Sequence, residues 1–401
     1  MSTFHVRSPR SSTDAALVYR WTDDDILQKF HFCQVYRATD RVSQYIITNV
    51  IEKGPQDPKE VFFRVVLFDR FTKIETWEKL LAVSPSGEME WDHFDNNIAL
   101  YEQSLHVLEA APGTGRFQKP APRKWGAGYD HVRSCLKLTQ LMVSDNLHEK
   151  LLKMDYLRDA FDEIKNYPSF GDFSAFQLLI GLSYTEVLGR FSPNDFVALG
   201  PGAISGIKKM FHARDLQQAK RTLGERVDLF ADIVRHLTEH QEEWFKTFGL
   251  EFPGLGPDHL PLDMVDIEHS LCELDKYCRQ AHPSLKGGKS ITMPGKHTTS
   301  KVPLPREHTL PAVWSLPSRQ IPRIRPAGVK SAKANMRYWV LGIVDDRLGS
   351  KGQEYKVQWV GYPGEDTWEP ESLLTEDVPN LLDEYKASKT AKPISKKRKR
   401  K

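Results

Sequence analysis

Beyond Arg337 the spacing of apolar residues drops to two, and this change of period constrains the fold more than any other feature. Tyr338-Trp-Val-Leu and Glu354-Tyr-Lys-Val-Gln-Trp-Val alternate as half-buried strands do, and Gly349 and Gly352 mark a turn between them. Val378 to Tyr385 returns to helical spacing and predicts a short closing helix. Upstream, from Trp21 to about His282, the pattern is helical. Ile26, Phe30, Cys33 and Arg37 recur at helical spacing behind the acids Asp23, Asp24 and Asp25, which a helix dipole favours. Leu216, Leu223, Val227, Phe230, Val234 and Leu237 trace a stripe that predicts one long amphipathic helix over 216–248. Residues 283–335 are rich in Pro, Gly, Ser, Lys and Arg without any period, so their burial cannot offset the entropy of ordering them, and a disordered basic linker is expected. A chain of 401 residues exceeds one comfortable core, and the resulting expectation is multidomain. The segments are a disordered N-terminus over 1–20, an all-α domain over 21–282, the linker, a sheet-plus-helix unit over 336–386 and a basic tail over 387–401.

Net charge is only +3, but it is unevenly spread. The tail carries eight Lys or Arg without an acid, and the linker carries ten with Glu307 alone opposing them, which leaves 38 basic against 52 acidic residues in the remainder. The folded body is acidic, so a grip on duplex DNA by the whole surface is excluded, and DNA contact is expected from a local patch, the linker or the tail. No apolar run is long enough for a bilayer, so no membrane partner is expected. Four cysteines without a pairing pattern point to a reducing, intracellular setting.

The strings Tyr338-Trp-Val-Leu-Gly-Ile-Val-Asp345, Tyr355-Lys-Val-Gln-Trp-Val-Gly-Tyr-Pro363, Asp366-Thr-Trp-Glu-Pro-Glu371 and Leu381-Leu-Asp-Glu-Tyr385 closely resemble a chromodomain. The resemblance implies a methyl-lysine cage walled by Tyr338, Trp359 and Tyr362, with Glu365 or Asp366 at its mouth, Trp339 as the competing ring for the first wall, and Trp368 buried. Trimethyl-lysine keeps its charge but has no N–H to donate, so aromatic faces are the physically apt receptor. The implied partner is a methylated histone H3 tail, most plainly its lysine-9 site, added as a strand near Arg337–Leu341 and Glu369–Leu373. The tail Pro393-Ile-Ser-Lys-Lys-Arg-Lys-Arg-Lys401 reads as a nuclear localisation signal, which makes a nuclear import receptor a partner and the nucleus the expected location.

Within 21–282, Phe30-His-Phe-Cys-Gln-Val-Tyr-Arg-Ala-Thr-Asp-Arg-Val-Ser-Gln44, Phe63-Arg-Val-Val-Leu-Phe-Asp-Arg-Phe-Thr-Lys-Ile-Glu-Thr-Trp77, Ser174-Ala-Phe-Gln177, Asn194-Asp-Phe-Val-Ala-Leu-Gly-Pro-Gly-Ala203 and Asp266-Ile-Glu-His-Ser-Leu-Cys-Glu-Leu-Asp-Lys-Tyr277 are similar to the helical domain named after phage 5-hydroxymethyluracil DNA kinases, also proposed as thymine pyrophosphorylases. The resemblance implies a DNA-glycosylase-like helical scaffold that acts on a modified thymine, by transferase or glycosylase-like chemistry. Polar residues on apolar helices are the catalytic candidates: Arg37, Asp40, Arg41, Glu75, Gln177 and Glu273, weighed against structural ion pairs. Leu199-Gly-Pro-Gly-Ala-Ile-Ser-Gly-Ile-Lys-Lys209 reads as a helix–hairpin–helix, in which Gly200, Gly202 and Gly206 would let backbone N–H groups meet a DNA phosphate and Lys208 and Lys209 would add charge. A plain turn between core helices is the equal alternative. Phosphoryl transfer is not expected, because the nearest P-loop-like string, Gly287-Gly-Lys-Ser290, has Pro283 where the first glycine belongs. His269, Cys272, Cys278 and His282 match no common zinc spacing, so neither metal nor cofactor is expected. The expected function is a nuclear chromatin-associated protein that reads methylated histone and acts on or recognises modified thymine in DNA. A non-catalytic chromodomain adaptor is the alternative.

Overall fold

The computed structural model describes residues 22–109, 130–224, 228–284, 308–325, 338–350, 352–360 and 362–390. Residues 1–21, most of the expected linker and the 391–401 part of the basic tail, with the import signal, lie outside the described residues. The chain is multidomain: a helical region is followed by a three-stranded antiparallel sheet with helices.

The helix Pro58–Phe71 runs through the centre of the helical region. Asp57 starts it by accepting from Glu60 N, Pro58 supplies a preset φ in its first turn, and Thr72 ends it at φ 49 in the left-handed region. It is buried nearly all round, with residues 61–71 all buried, the charged Arg64, Asp69 and Arg70 among them. Even its arginines are used internally. Arg64 donates from Nε to Val50 O (2.8 Å) and from Nη2 to Ile51 O (3.3 Å), which satisfies carbonyls at the end of the Ile46–Ile51 π-helix. Arg70 lies over the Phe170 ring at 4.1 Å. Around this axis pack His131–Ser144, Asp172–Ser183 and Leu147–Leu152.

The helices Pro201–Met210 and Met264–Ala281 pack closely against each other. A Cβ at Gly206 would lie 2.2 Å from Leu271 O, and one at Gly202 would lie 2.4 Å from Cys272 Sγ. Glycine at both positions lets the two backbones approach.

Three expectations of the sequence reading differ from the structure. The stripe over 216–248 is broken into Ala213–Leu223, Leu229–Glu239 and Gln241–Thr247, because Gly224 takes φ 76, Asp228 caps the second helix at Ala231 N, and His240 interrupts before the third. The periodic residues from Ile26 to Arg37 give only the helix Asp25–Lys29, after which an irregular stretch leads to a 3-10 turn at Arg37–Thr39. The helix stops because the following segment docks on Met264–Ala281 through single polar contacts instead of continuing its own ladder. Residues 308–325 of the expected disordered linker are ordered against the helical region, with 3-10 turns at Ala312–Ser315 and Pro317–Gln320, a buried Val313 and a buried Arg319.

The sheet runs in the order β1 (Val340–Gly349), β2 (Gly352–Trp359), β3 (Tyr362–Pro370). Gly349 and Gly352 are partners across the first hairpin, where the sequence places its turn. Tyr355, Val357, Leu374 and Leu382 form its core. The closing element is two helices, Glu371–Asp377 and Pro379–Thr390, the second longer than the predicted Val378–Tyr385. Val360, Trp339 and Leu341 pack instead on the core of the helical region.

Candidate functional site

On the sheet, Trp359 pairs across β1–β2 with Val340 and across β2–β3 with Tyr362, so the register itself gathers the aromatic residues. The Tyr338 ring lies 6.1 Å from Trp359 at 70° and 5.3 Å from Tyr362 at 59°. Trp359 Nε1 donates to Thr367 Oγ1 (2.8 Å), which donates to Glu369 Oε1 (2.6 Å), and this chain fixes the indole plane. Tyr338 and Tyr362 are exposed, whereas Trp359 is half-buried and also packs on the Tyr355, Val357, Leu374 and Leu382 core. Trp339 points the other way and stacks on Tyr167 of the helical region, at 5.4 Å and 23°. Tyr338 is therefore the ring that joins the cluster. Glu365 is exposed, whereas Asp366 pairs with Lys356 at 3.5 Å. Trp368, expected in the core, is half-buried beneath the Arg347 guanidinium, 4.2 Å from its ring centre.

In the helical region, a second polar assembly forms along Met264–Ala281. Arg37 N donates to Asp266 Oδ1 (2.7 Å), and Arg37 Nη2 donates to Gln177 Oε1 (3.0 Å). Glu273 accepts from Cys33 N (3.4 Å) and pairs with Lys276. Asp40 caps the next helix at Val42 N (3.0 Å) and acts electrostatically on Cys33 and His269. Arg37, Asp40, Gln177 and Glu273 thus come together. Arg41 is half-buried in Arg41–Tyr45, and Glu75 is exposed on Ile74–Leu81, which packs on Ile98–Glu109, so Glu75 stands apart.

Several residues of this assembly carry perturbed protons. Burial, reinforced by the charge of Asp263, pushes the Asp266 carboxyl up to about 7. Burial pushes Asp263 up to about 6. Burial and then the positive charge of Arg37 bring His269 down to about 4, and its Nε2 is sealed from solvent without a hydrogen-bond partner among the described residues. Burial pushes the Cys33 thiol up to about 12. Cys33, His269 and Glu273 offer ligand atoms within 4.8 Å of one another, but a cation there would have to displace Lys276 from Glu273. Of the four residues weighed for zinc, His269 alone belongs to this group. Sequence reasoning passed over Glu268 and Asp263. The signal for the set is the spacing of Asp266, His269, Glu273 and Lys276, which is one helical face.

Arg37 and Asp266 also line a pocket of about 510 Å³, counting its open mouth, with Phe176, Tyr184, Phe191, Phe196, Asp263, Trp314 and Arg319. Five of its seventeen lining residues are aromatic, and the others are aliphatic, polar or charged. Such a pocket can hold a planar ring while guanidinium and carboxyl groups read its edge.

The expected helix–hairpin–helix takes another form. Gly200 N, at the start of Pro201–Met210, donates to Glu268 Oε1 (3.0 Å), so a carboxylate of the chain itself occupies the position a phosphate would take. Gly202 and Gly206 are buried against Cys272 and Leu271 and serve helix packing. Lys209 is nine-tenths buried in an ion pair with Asp275, and Lys208 is exposed.

Comparison with known proteins agrees with this architecture. The sequence profile described as "5-hmdU DNA kinase, helical domain" matches residues 10–287, more than half of the chain, and the chain belongs to that family. Residues 338–388 match the Chromo (chromatin organisation modifier) domain, so the sheet with its ring cluster is a chromodomain. A relative named 5-hmdU DNA kinase, from Bacillus phage SP10, is 23% identical over 270 residues, which cover 64% of this chain and 40% of the phage protein. The chain thus spans about two-fifths of that relative's length. No solved structure matches.

Proposed function

We propose that this is a nuclear, chromatin-associated protein whose chromodomain holds methylated lysine of a histone H3 tail, and whose helical domain recognises or acts on a modified pyrimidine in DNA. The observation that carries the first half is the cluster of Tyr338, Trp359 and Tyr362, two of them exposed, held by the hairpin register and by the Trp359–Thr367 hydrogen bond. A cation without N–H groups is recognised by electron-rich faces, each contributing about 0.5–2 kcal/mol. Glu365 is exposed, whereas Asp366 engages Lys356, so Glu365 is the carboxylate expected to meet the ammonium. The second half rests on family membership and on the partly aromatic pocket beside Arg37, Gln177 and Asp266.

Titration of a histone H3 peptide trimethylated at its lysine-9 site is the test of the first half. Trp359→Ala should weaken binding by about 2-fold to 30-fold, the loss of one cage face. Equal affinity of the variant and wild type would remove the cage. For the helical domain, 5-hydroxymethyluracil DNA and its phosphorylated form should each be incubated with the protein and analysed by nucleoside mass spectrometry, with binding measured in parallel. A new nucleoside identifies an enzyme, and selective binding without conversion a reader. Neither product nor preference over thymine DNA would end the DNA reading.

A further inference from the structure

The segment 309–325 joins the two domains in sequence, but it is fastened to the helical domain along its length. The Gln44 side-chain amide pairs with both backbone groups of Thr309, donating from Nε2 to its O (3.0 Å) and accepting from its N at Oε1 (2.8 Å). Val313 sits on Gly189, where an added Cβ would come within 2.7 Å of it. At the far end Arg323 N donates to Asp195 Oδ1 (2.5 Å), and Arg325 pairs with Asp159 (2.6 Å) and Asp162 (3.6 Å).

Between these anchors the strap sends Trp314 and Arg319 into the wall of the pocket. The Arg319 guanidinium lies 5.3 Å from the Trp314 ring centre, and Trp314 stands edge-on to Tyr184 at 6.2 Å. Arg319 is only 7% exposed. Among the described residues its one hydrogen bond is a long one, from Nη1 to Ser183 O at 3.4 Å. Asp263 is near enough to act on its charge without forming an ion pair. A guanidinium has five N–H donors in a fixed fork, and leaving them unmatched in a buried site is costly. Arg319 lines the pocket together with Arg37.

We propose that this strap is an integral part of the pocket, and that Arg319 holds an oxyanion carried by a planar-ring ligand, the phosphate of a pyrimidine nucleotide. Five aromatic residues in the lining face the ring, and Arg319, set in the lining with Arg37 and with the proton-holding carboxyls of Asp263 and Asp266, suits a doubly charged phosphate better than a singly charged carboxylate. The assignment deepens the reading of the helical domain as the part that recognises a pyrimidine, and rests on it.

Calorimetric titration of the full chain with thymidine 5′-monophosphate, thymidine and benzoate tests this, with amide hydrogen exchange followed over 309–325. The monophosphate should bind most tightly and slow exchange in the strap. Arg319→Ala should lower its affinity about tenfold or more and leave thymidine binding unchanged, since a charge-assisted hydrogen bond is lost. Arg325→Ala, outside the pocket, should loosen the strap and also weaken the monophosphate. Equal affinity of wild type and Arg319→Ala, or no preference for the monophosphate over thymidine, overturns the role of Arg319. Benzoate binding as tightly as the monophosphate overturns the nucleotide assignment, and fast exchange over 309–325 in the free protein overturns the strap. Binding through Arg319 by a protein indifferent to 5-hydroxymethyluracil DNA would sink the DNA reading while leaving the anion site standing.

Discussion

Asp266 and Asp263 hold protons in the folded chain that an unfolded chain would release near 3.8. A carboxyl raised in this way contributes stability that is fully present below its unfolded value and is lost as pH rises through about 6 for Asp263 and about 7 for Asp266. His269 works with the opposite sign. Its folded value is depressed from 6.5 to about 4, so stability rises with pH across that interval. Comparing wild type with Asp266→Asn in urea titrations at several pH values separates the two: the variant should lose less stability between acid and neutral pH, and parallel curves would show that Asp266 is not held protonated. At the same scale, Trp339→Ala should leave affinity for the methylated peptide unchanged while quickening amide exchange around Tyr167, because Trp339 stacks there and not with Tyr338. A loss as large as that of Trp359→Ala would reverse the assignment of the two rings. The clustering of Tyr338, Trp359 and Tyr362 follows the resemblance to a chromodomain, whose motifs lie close together in the sequence. The pairing of Arg37 with Gln177, across 140 positions, was not legible in the sequence, because no local period reports it.

At the scale of elements, the pair Pro201–Met210 and Met264–Ala281 shows how one glycine-rich string supports two readings. The glycines suit a phosphate loop and equally suit two helices in close approach. The geometry gives them to packing, and substitutions can tell the roles apart. Gly206→Ala should destabilise the fold by about 1–3 kcal/mol, since the new Cβ meets the backbone of Leu271 and neither helix can yield locally. Gly200→Ala should be nearly neutral for stability, because its nearest neighbour, Glu268 Oε1, would lie at 3.5 Å. Thermal or urea denaturation of both variants decides it, and an equal cost would contradict the close approach. The stripe over 216–248 failed as one helix because apolar spacing persists across Gly224 and His240 while the backbone departs from the helix at both, and Val227 of the stripe lies outside the described residues.

Over the whole molecule, the basic linker is the part whose behaviour departs furthest from its composition. Its Pro-rich, aperiodic character argues against forming a core of its own, and residues 308–325 form none. They borrow the helical domain's surface, with Gln44, Asp195 and Asp159 supplying the hydrogen bonds and charge that the segment lacks internally. The acidic body and basic connector noted from charge bookkeeping are thus complementary within one chain.

Two patterns were settled before any folding was known. The strings around Trp-Glu-Pro identified the chromodomain by resemblance, and the scattered strings of the larger domain identified its family, because such motifs are read from neighbours close in sequence. Tertiary structure alone decided which ring turns outward, which glycines pack instead of binding, and that Arg319 closes the pocket beside Asp263 and Arg37. Those outcomes arise from groups separated by tens to hundreds of positions, whose meeting depends on how whole helices are stacked.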